Sequence, residues 1–385
     1  MTRWFITFKR CVLVIFLTIS GAILTTSASV NAASSRPPIP LMLTRVDGSP
    51  VVYVVSTSNY FDAAHPSACE PHSCYLLRRT TNLGASFTTL GLPPVTYVRG
   101  SLEGNLEDLA FANTLDGYAL LSEGSFLSLY VTLDGASTWH RQSVAPGERV
   151  LQVVTDRNQL FAVVAHCRKN HVCTDVRLAR STLAAKRWTI TKISNTSSHV
   201  PTSPYFDITA FGPNVWATVQ GPKNPLLYRS RDGGRTFSVS SAPALSAVTA
   251  CSLTAESSSA LWAECPTGMM VSFFFSGDAG VHWIDVSGLE YAGTGGGYFD
   301  PVSRSLAYLD YGQTGPSRPK NLFRITNAGR TSTPEGTLQC DGAWGLVFTG
   351  ATHGLAVCNR NYKLTSTYLL RTSDGGATWS RVTLF

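Results

Sequence analysis

An all-β fold, a single seven-bladed β-propeller of four-stranded antiparallel blades, is predicted from three observations. One octapeptide recurs seven times in register. Each period has room for four short strands. The composition, with 14% charged residues and 32 glycines in 385, suits strands and tight turns better than helices.

The octapeptide is clearest at the end of the chain, as Thr372-Ser-Asp-Gly-Gly-Ala-Thr-Trp379. Close copies are Ser230-Arg-Asp-Gly-Gly-Arg-Thr-Phe237, Thr132-Leu-Asp-Gly-Ala-Ser-Thr-Trp139 and Ser276-Gly-Asp-Ala-Gly-Val-His-Trp283. Thr80-Thr-Asn-Leu-Gly-Ala-Ser-Phe87 and Ile325-Thr-Asn-Ala-Gly-Arg-Thr-Ser332 are weaker, and Ser181-Thr-Leu-Ala-Ala-Lys-Arg-Trp188 keeps only its ends. The copies start at 80, 132, 181, 230, 276, 325 and 372, so even decayed ones sit where a regular period requires them. The letters have a chemical reason. A short carboxylate accepts backbone N–H bonds within a tight turn. Glycine takes a backbone conformation that a Cβ would penalise. The hydroxyls tie the turn, and the aromatic begins the next strand.

In the last period the strands are read as Ala343–Thr349, Gly354–Asn359, Thr367–Thr372 and Thr378–Leu384, with the octapeptide joining third to fourth. A phrase marks the first two strands elsewhere: Leu109-Ala-Phe before Gly117-Tyr-Ala-Leu, and Ile208-Thr-Ala-Phe before Val215-Trp-Ala-Thr. Radial repetition of such units leaves only short sheet edges. Residues 41–385 are therefore read as one domain, after an extended lead-in at 33–40 that carries Pro37, Pro38 and Pro40.

Residues 1–32 have the layout of a secretory signal peptide. Arg3, Lys9 and Arg10 precede an apolar stretch from Cys11 to Leu24, and Val30-Asn31-Ala32 before Ala33 is an acceptable cleavage site. The chain is expected to be secreted or extracytoplasmic, at the cell surface or in a periplasm if the leader stays, with no membrane span after cleavage. The whole chain has a formal charge of +7; the mature part keeps 28 basic against 24 acidic residues. That mild excess, without a Lys/Arg run, excludes nucleic acid as the expected partner.

Eight cysteines follow the leader in couples: Cys69/Cys74, Cys167/Cys173, Cys251/Cys265 and Cys340/Cys358. An even count in an exported chain reads as disulfides, and each couple falls within one repeat. His65 and His72 beside the first couple, and His166 and His171 beside the second, would also draw as zinc sites. The oxidising compartment favours the disulfide reading, and neither metal nor cofactor is expected. Gly293–Gly297 is rich in glycine but lacks the Lys-Ser/Thr of a phosphate loop. Asn195-Thr-Ser197 fits a glycosylation acceptor.

The binding face of such a ring is built by inter-blade connections and by loops between second and third strands. Those carry Tyr97, Arg99, Glu103, Glu107 and Asp108; His199, Tyr205 and Asp207; Tyr291, Tyr298 and Asp300; Arg318 and Lys320; and Asp341, Arg360 and Tyr362. Aromatics mixed with both charge signs suit a protein or a carbohydrate partner of a monomeric chain. The plainer reading is that loops are polar and these residues obey.

The octapeptide resembles the Asp box, or BNR repeat, and the mature chain resembles secreted or periplasmic Asp-box propellers. That resemblance implies a structural, peripheral role for Asp134, Asp232, Asp278 and Asp374. Three groups share the box: six-bladed sialidases, xyloglucan-type glucanases with seven-bladed units, and the photosystem II assembly and stability factors with their relatives in non-photosynthetic bacteria. Blade count and size favour the third. Sialidases place an Arg-Ile-Pro motif near the first blade, whereas this chain has Arg36 in Arg-Pro-Pro-Ile-Pro and Arg45 in Thr-Arg-Val-Asp. Arg324-Ile325-Thr326 lies in the sixth repeat and lacks the proline. No motif selects the carboxylate pair that glycosidic chemistry needs. The expected function is a non-catalytic binding or assembly scaffold acting through its loop face. The alternatives are a glycoside hydrolase or lyase of sialidase-like ancestry, such as an exo-sialidase, and a glycan-binding lectin.

Overall fold

A computed structural model describes residues 39–57, 75–93, 105–123, 126–145, 147–167, 172–193, 200–201, 206–220, 225–243, 251–267, 270–292, 297–311, 320–360 and 366–384. The leader, Cys69 and Cys74 with His65 and His72, His171, Asn195 and Gly293–Gly296 lie outside them.

The described residues form seven antiparallel sheets and no helix. Blade 1 is Ile39–Arg45, Val52–Thr57, Tyr75–Thr80 and Thr88–Leu90; blade 2 is Asn105–Phe111, Gly117–Glu123, Phe126–Thr132 and His140–Gln142. Blade 3 is Arg149–Asp156, Gln159–Cys167, Val172–Thr182 and Thr189–Lys192, with Val200–Pro201 added against its third strand. Blade 4 is Phe206–Phe211, Asn214–Gln220, Pro225–Ser230 and Ser238–Ser240; blade 5 is Ser252–Ala255, Leu261–Thr267, Met270–Ser276 and Ile284–Ala292. Blade 6 is Phe299–Ser303, Leu306–Tyr311, Lys320–Thr326 and Thr331–Leu338; blade 7 is Gly342–Phe348, Gly354–Asn359, Tyr368–Thr372 and Ser380–Val382. The expected seven-bladed, four-stranded architecture is present. The first strand starts at Ile39, and the last spans only Ser380–Val382.

Every sheet is built from strands consecutive in sequence, so among the described residues no strand from one chain end completes the sheet at the other. The core is divided into seven layers, each between two neighbouring blades. Period-2 alternation makes this possible: along one strand, Tyr53 and Val55 face blade 2 while Val52 and Val54 face blade 7. Second strands are buried on both faces, as in Gly354–Asn359, where every residue is buried. Several fourth strands are three-residue stubs with two exposed positions each. A short polar edge discourages pairing with other chains.

All seven octapeptides join third to fourth strands, and in the copies that keep the Asp the letters act as the chemistry requires. Thr132 Oγ donates to Asp134 Oδ1 at 2.9 Å, and the same carboxylate accepts Thr138 N at 2.9 Å and Thr138 Oγ at 2.6 Å. Asp232, Asp278 and Asp374 repeat the pattern through Thr236, His282 and Thr378. In the weaker copy at Thr80, Asn82 accepts Ser86 N at 2.9 Å in the carboxylate's place. These bonds hold the Asp134, Asp278 and Asp374 carboxyls down at about 2. Gly376 has φ +98, and a Cβ there would run into the Leu322 side chain of blade 6, so this glycine serves both the turn and blade packing.

One position ties blade to blade. The second-strand residue opposite the end of the third strand is Tyr53, Tyr118, Phe161, Trp216, Trp262, Tyr308 and Leu355 in blades 1 to 7. Five of these donate to a carbonyl of the following blade. Tyr53 Oη reaches Thr114 O at 3.4 Å, Trp216 Nε1 reaches Ala279 O at 3.0 Å, Trp262 Nε1 reaches Ser303 O at 3.1 Å, and Tyr308 Oη reaches Ala351 O at 2.6 Å. Tyr118 Oη bonds Val153 O. Leu355, at the seam where blade 7 meets blade 1, has no donor.

Disulfides Cys251–Cys265 and Cys340–Cys358 staple the approach of a first strand to its second strand. Cys167 is also disulfide-bonded, and its register partner across the hairpin is Cys173.

Candidate functional site

The inner wall of the ring consists of first strands, each an open sheet edge with unpaired backbone groups. Polar side chains from one blade satisfy the edge of the next. Gln152 Oε1 accepts Ile208 N at 3.2 Å, and Asp156 Oδ2 accepts Gly212 N at 2.7 Å. Asp207 Oδ2 accepts Leu253 N at 2.5 Å, Thr209 Oγ accepts Ala255 N at 3.1 Å, and Asp300 Oδ2 accepts Phe348 N at 2.5 Å. Buried donors must find acceptors, and a side chain from the neighbouring blade is the available one.

At the seam the device is enlarged. Arg45 ends the first strand of blade 1, and its side chain is only 12% exposed. Nη1 donates to Asp300 Oδ1 at 2.7 Å, Asp300 Oδ2 at 2.9 Å and Phe348 O at 2.7 Å; Nη2 donates to Pro301 O at 2.5 Å. Glu256 Oε1 lies 3.6 Å from Nη2, and exposed Asp47 lies 3.4 Å from Nε. One guanidinium of blade 1 therefore reaches blades 5, 6 and 7.

Burial pushes Glu256 up to about 8 against the pull of Arg45, with Asp47 and Asp300 adding to the rise. Burial likewise raises Asp300 to about 6, opposed by Arg45 and by the Phe348 N–H. Both carboxyls hold protons in the folded state at pH values where the unfolded chain has released them, so stability falls as pH rises. The windows run from the ordinary 3.8 to about 6 for Asp300 and from 4.5 to about 8 for Glu256. We expect the unfolding temperature to fall between pH 5 and pH 9, and Glu256→Gln to flatten that slope. An identical slope in the variant would exclude Glu256 as its source.

Of the residues selected from sequence, Asp207 and Asp300 lie on first strands and hold inter-blade bonds. Glu107 is half-buried on the first strand of blade 2; burial raises its carboxyl and the Ser122 hydroxyl opposes. Its neighbour Asp108 accepts Leu109 N at 2.8 Å and Tyr118 Oη at 3.1 Å. Tyr298 N donates to Asp310, Asp341 N donates to Asn359 O at 3.0 Å, and exposed Arg360 shares backbone bonds with Ser366. Tyr97, Arg99, Glu103, His199, Tyr205, Arg318 and Tyr362 lie outside the described residues, whereas Tyr291 and Lys320 fall in strands of blades 5 and 6. The structure thus brings together Asp300, Glu256 and Arg45, of which sequence selected only Asp300. The missed signal was positional: Arg45, Asp156 and Glu256 all fall at first-strand ends of their repeats. Among the described residues no group of three or more His, Cys, Asp or Glu side chains could hold a metal ion, and no helix is long and apolar enough to cross a membrane.

These features define a seven-bladed propeller of four-stranded blades in which the inner-wall carboxylates of Asp156, Asp207 and Asp300 carry blade-to-blade bonds. No family model and no curated protein matches the chain in sequence. Solved structures match it in fold. The propeller domain of the Trilobed protease from Pyrococcus furiosus, described as having an open velcro topology, superposes with a TM-score of 0.59 at 9% identity, over 91% of this chain and 96% of that one. A puromycin hydrolase gives 0.57 at 12% identity, over 90% of this chain and 55% of that chain. YCF48 bound to a D1 peptide gives 0.48 at 15% identity, over 76% and 86%. At such identities the likeness is one of fold.

Proposed function

We propose that the chain is an extracytoplasmic, non-catalytic binding or assembly module of Asp-box type, acting on a protein partner through its loop face. The observation that carries this reading is the employment of Asp207 and Asp300. Both carboxylates hold the backbone N–H of the next blade, and Asp300 also grips Arg45. A general acid or nucleophile must instead be free to meet substrate. The disulfides fit an oxidising compartment, and export would follow from the leader at 1–32.

A photoreactive amino acid placed at Tyr97, His199, Arg318 or Arg360 should crosslink one discrete protein in the producing cell, and the same group at outer-strand Val239 should not. Fluorogenic sialoside and xyloglucan-oligosaccharide assays should show no turnover. Turnover abolished by Glu107→Ala or Asp207→Ala would replace this reading with a glycoside hydrolase.

A further inference from the structure

In blades 7, 1, 2 and 3 the pairing of first and second strands slips by one residue at a common level. The residues left over are Trp344, Leu41, Glu107 and Leu151. In each blade the slip lies two to three positions beyond the same second-strand site, occupied by Leu355, Tyr53, Tyr118 and Phe161. Blade 4 pairs through that level without a slip. A β-bulge re-aims the extra residue's side chain and is over-represented beside functional sites. Four adjacent blades thus share one altered level of the inner wall.

All four residues are half-buried, and three are apolar. Glu107 puts a carboxylate where its sister blades put Leu and Trp. Burial disfavours its charged form, and among the described residues the Ser122 hydroxyl opposes this. No cation among the described residues is paired with it. A buried carboxylate without a counter-charge costs stability, and such groups concentrate at functional sites.

We propose that this level of the inner wall is a subsite for a lysine or arginine side chain of a protein partner, with Glu107 as its counter-charge. The inference rests on the binding-module reading. A cation supplies the missing charge, and the methylene stem suits the apolar positions on either side.

The probes are Nα-acetyl-lysine amide, Nα-acetyl-arginine amide and uncharged Nα-acetyl-norleucine amide, titrated calorimetrically into the full chain. The cationic amides should bind with Kd on the order of 1 mM, the reach of so small a ligand. Norleucine amide should not bind. Affinity should rise with pH as Glu107 ionises, and Glu107→Gln should weaken binding at least tenfold. Leu151→Arg, which brings its own cation to the same level, should compete with the ligand and provides a second test if Glu107→Gln folds poorly. Equal binding of norleucine amide, unchanged affinity in Glu107→Gln, or no binding of either cationic amide would overturn the proposal. A face that crosslinks no protein while lysine amide still binds would instead overturn the partner reading alone.

Discussion

Arg45→Ala should destabilise the ring by about 3–5 kcal/mol, the cost of removing one partner from a buried ion pair. The loss has three parts. Asp300 keeps its burial without its cation, while Glu256, which holds its proton up to about pH 8, loses a neighbour and not a counter-charge. The carbonyls of Pro301 and Phe348 lose their guanidinium donor. The seam between blades 7 and 1 then rests on apolar packing, chiefly Val52 and Val54 against Val347, Leu355 and Val357. Elsewhere a blade lacking its cross-blade tie sits within a continuous chain, whereas at the seam the chain is broken. Denaturant unfolding measures the change. Arg45→Met combined with Asp300→Asn and Glu256→Gln should recover much of the loss, because a neutral, well-packed site no longer strands a buried charge. A loss under about 1 kcal/mol, within the range of surface ion pairs, would show that Arg45 does not clasp the seam.

The fold was legible and the inner wall was not, for a physical reason. The octapeptide's bonds are local: Asp134 reaches Thr132 and Thr138, so the letters needed for the turn stand side by side in sequence. Seven such turns at a steady period leave few architectures. The inner-wall bonds join residues one blade apart, as Asp207 joins Leu253, or nearly the whole ring apart, as Arg45 joins Asp300. No local pattern announces them. Asp207 and Asp300 were selected as loop residues of a binding face, yet they sit on first strands and cap a neighbour. Arg45 was weighed only against an Arg-Ile-Pro motif, where it has no counterpart; its role depends on closure, which brings the chain's ends together. The fourth strand of blade 7 is shorter than the expected Thr378–Leu384: only Ser380–Val382 pair with the third strand, because Thr378 is held by Asp374 in the turn.

The tie position offers the second large effect. Trp262 is fully buried between blades 5 and 6, 4.7 Å from the Phe275 ring centroid and 5.7 Å from that of Phe299, while its Nε1 bonds Ser303 O at 3.1 Å. Truncation to Ala opens a cavity in a layer that cannot collapse without moving two blades, and should cost about 3–5 kcal/mol. Trp262→Phe keeps most of the ring volume and removes the donor, leaving Ser303 O to find water. That variant should cost about 0.5–1.5 kcal/mol, the net worth of one hydrogen bond whose half-buried acceptor can turn to water. Blade 7 shows that the position tolerates a residue without a donor, since Leu355 occupies it and a guanidinium from blade 1 serves the seam instead. The gap between the two variants therefore separates packing from tying. Urea unfolding followed by circular dichroism and fluorescence together measures it and tests whether the blades unfold as one unit. If Trp262→Phe proves as damaging as Trp262→Ala, the bond to Ser303 outweighs the buried ring. If Trp262→Phe is neutral, the blade-to-blade bonds add nothing to packing, and the clasp assigned to Arg45 loses its analogy.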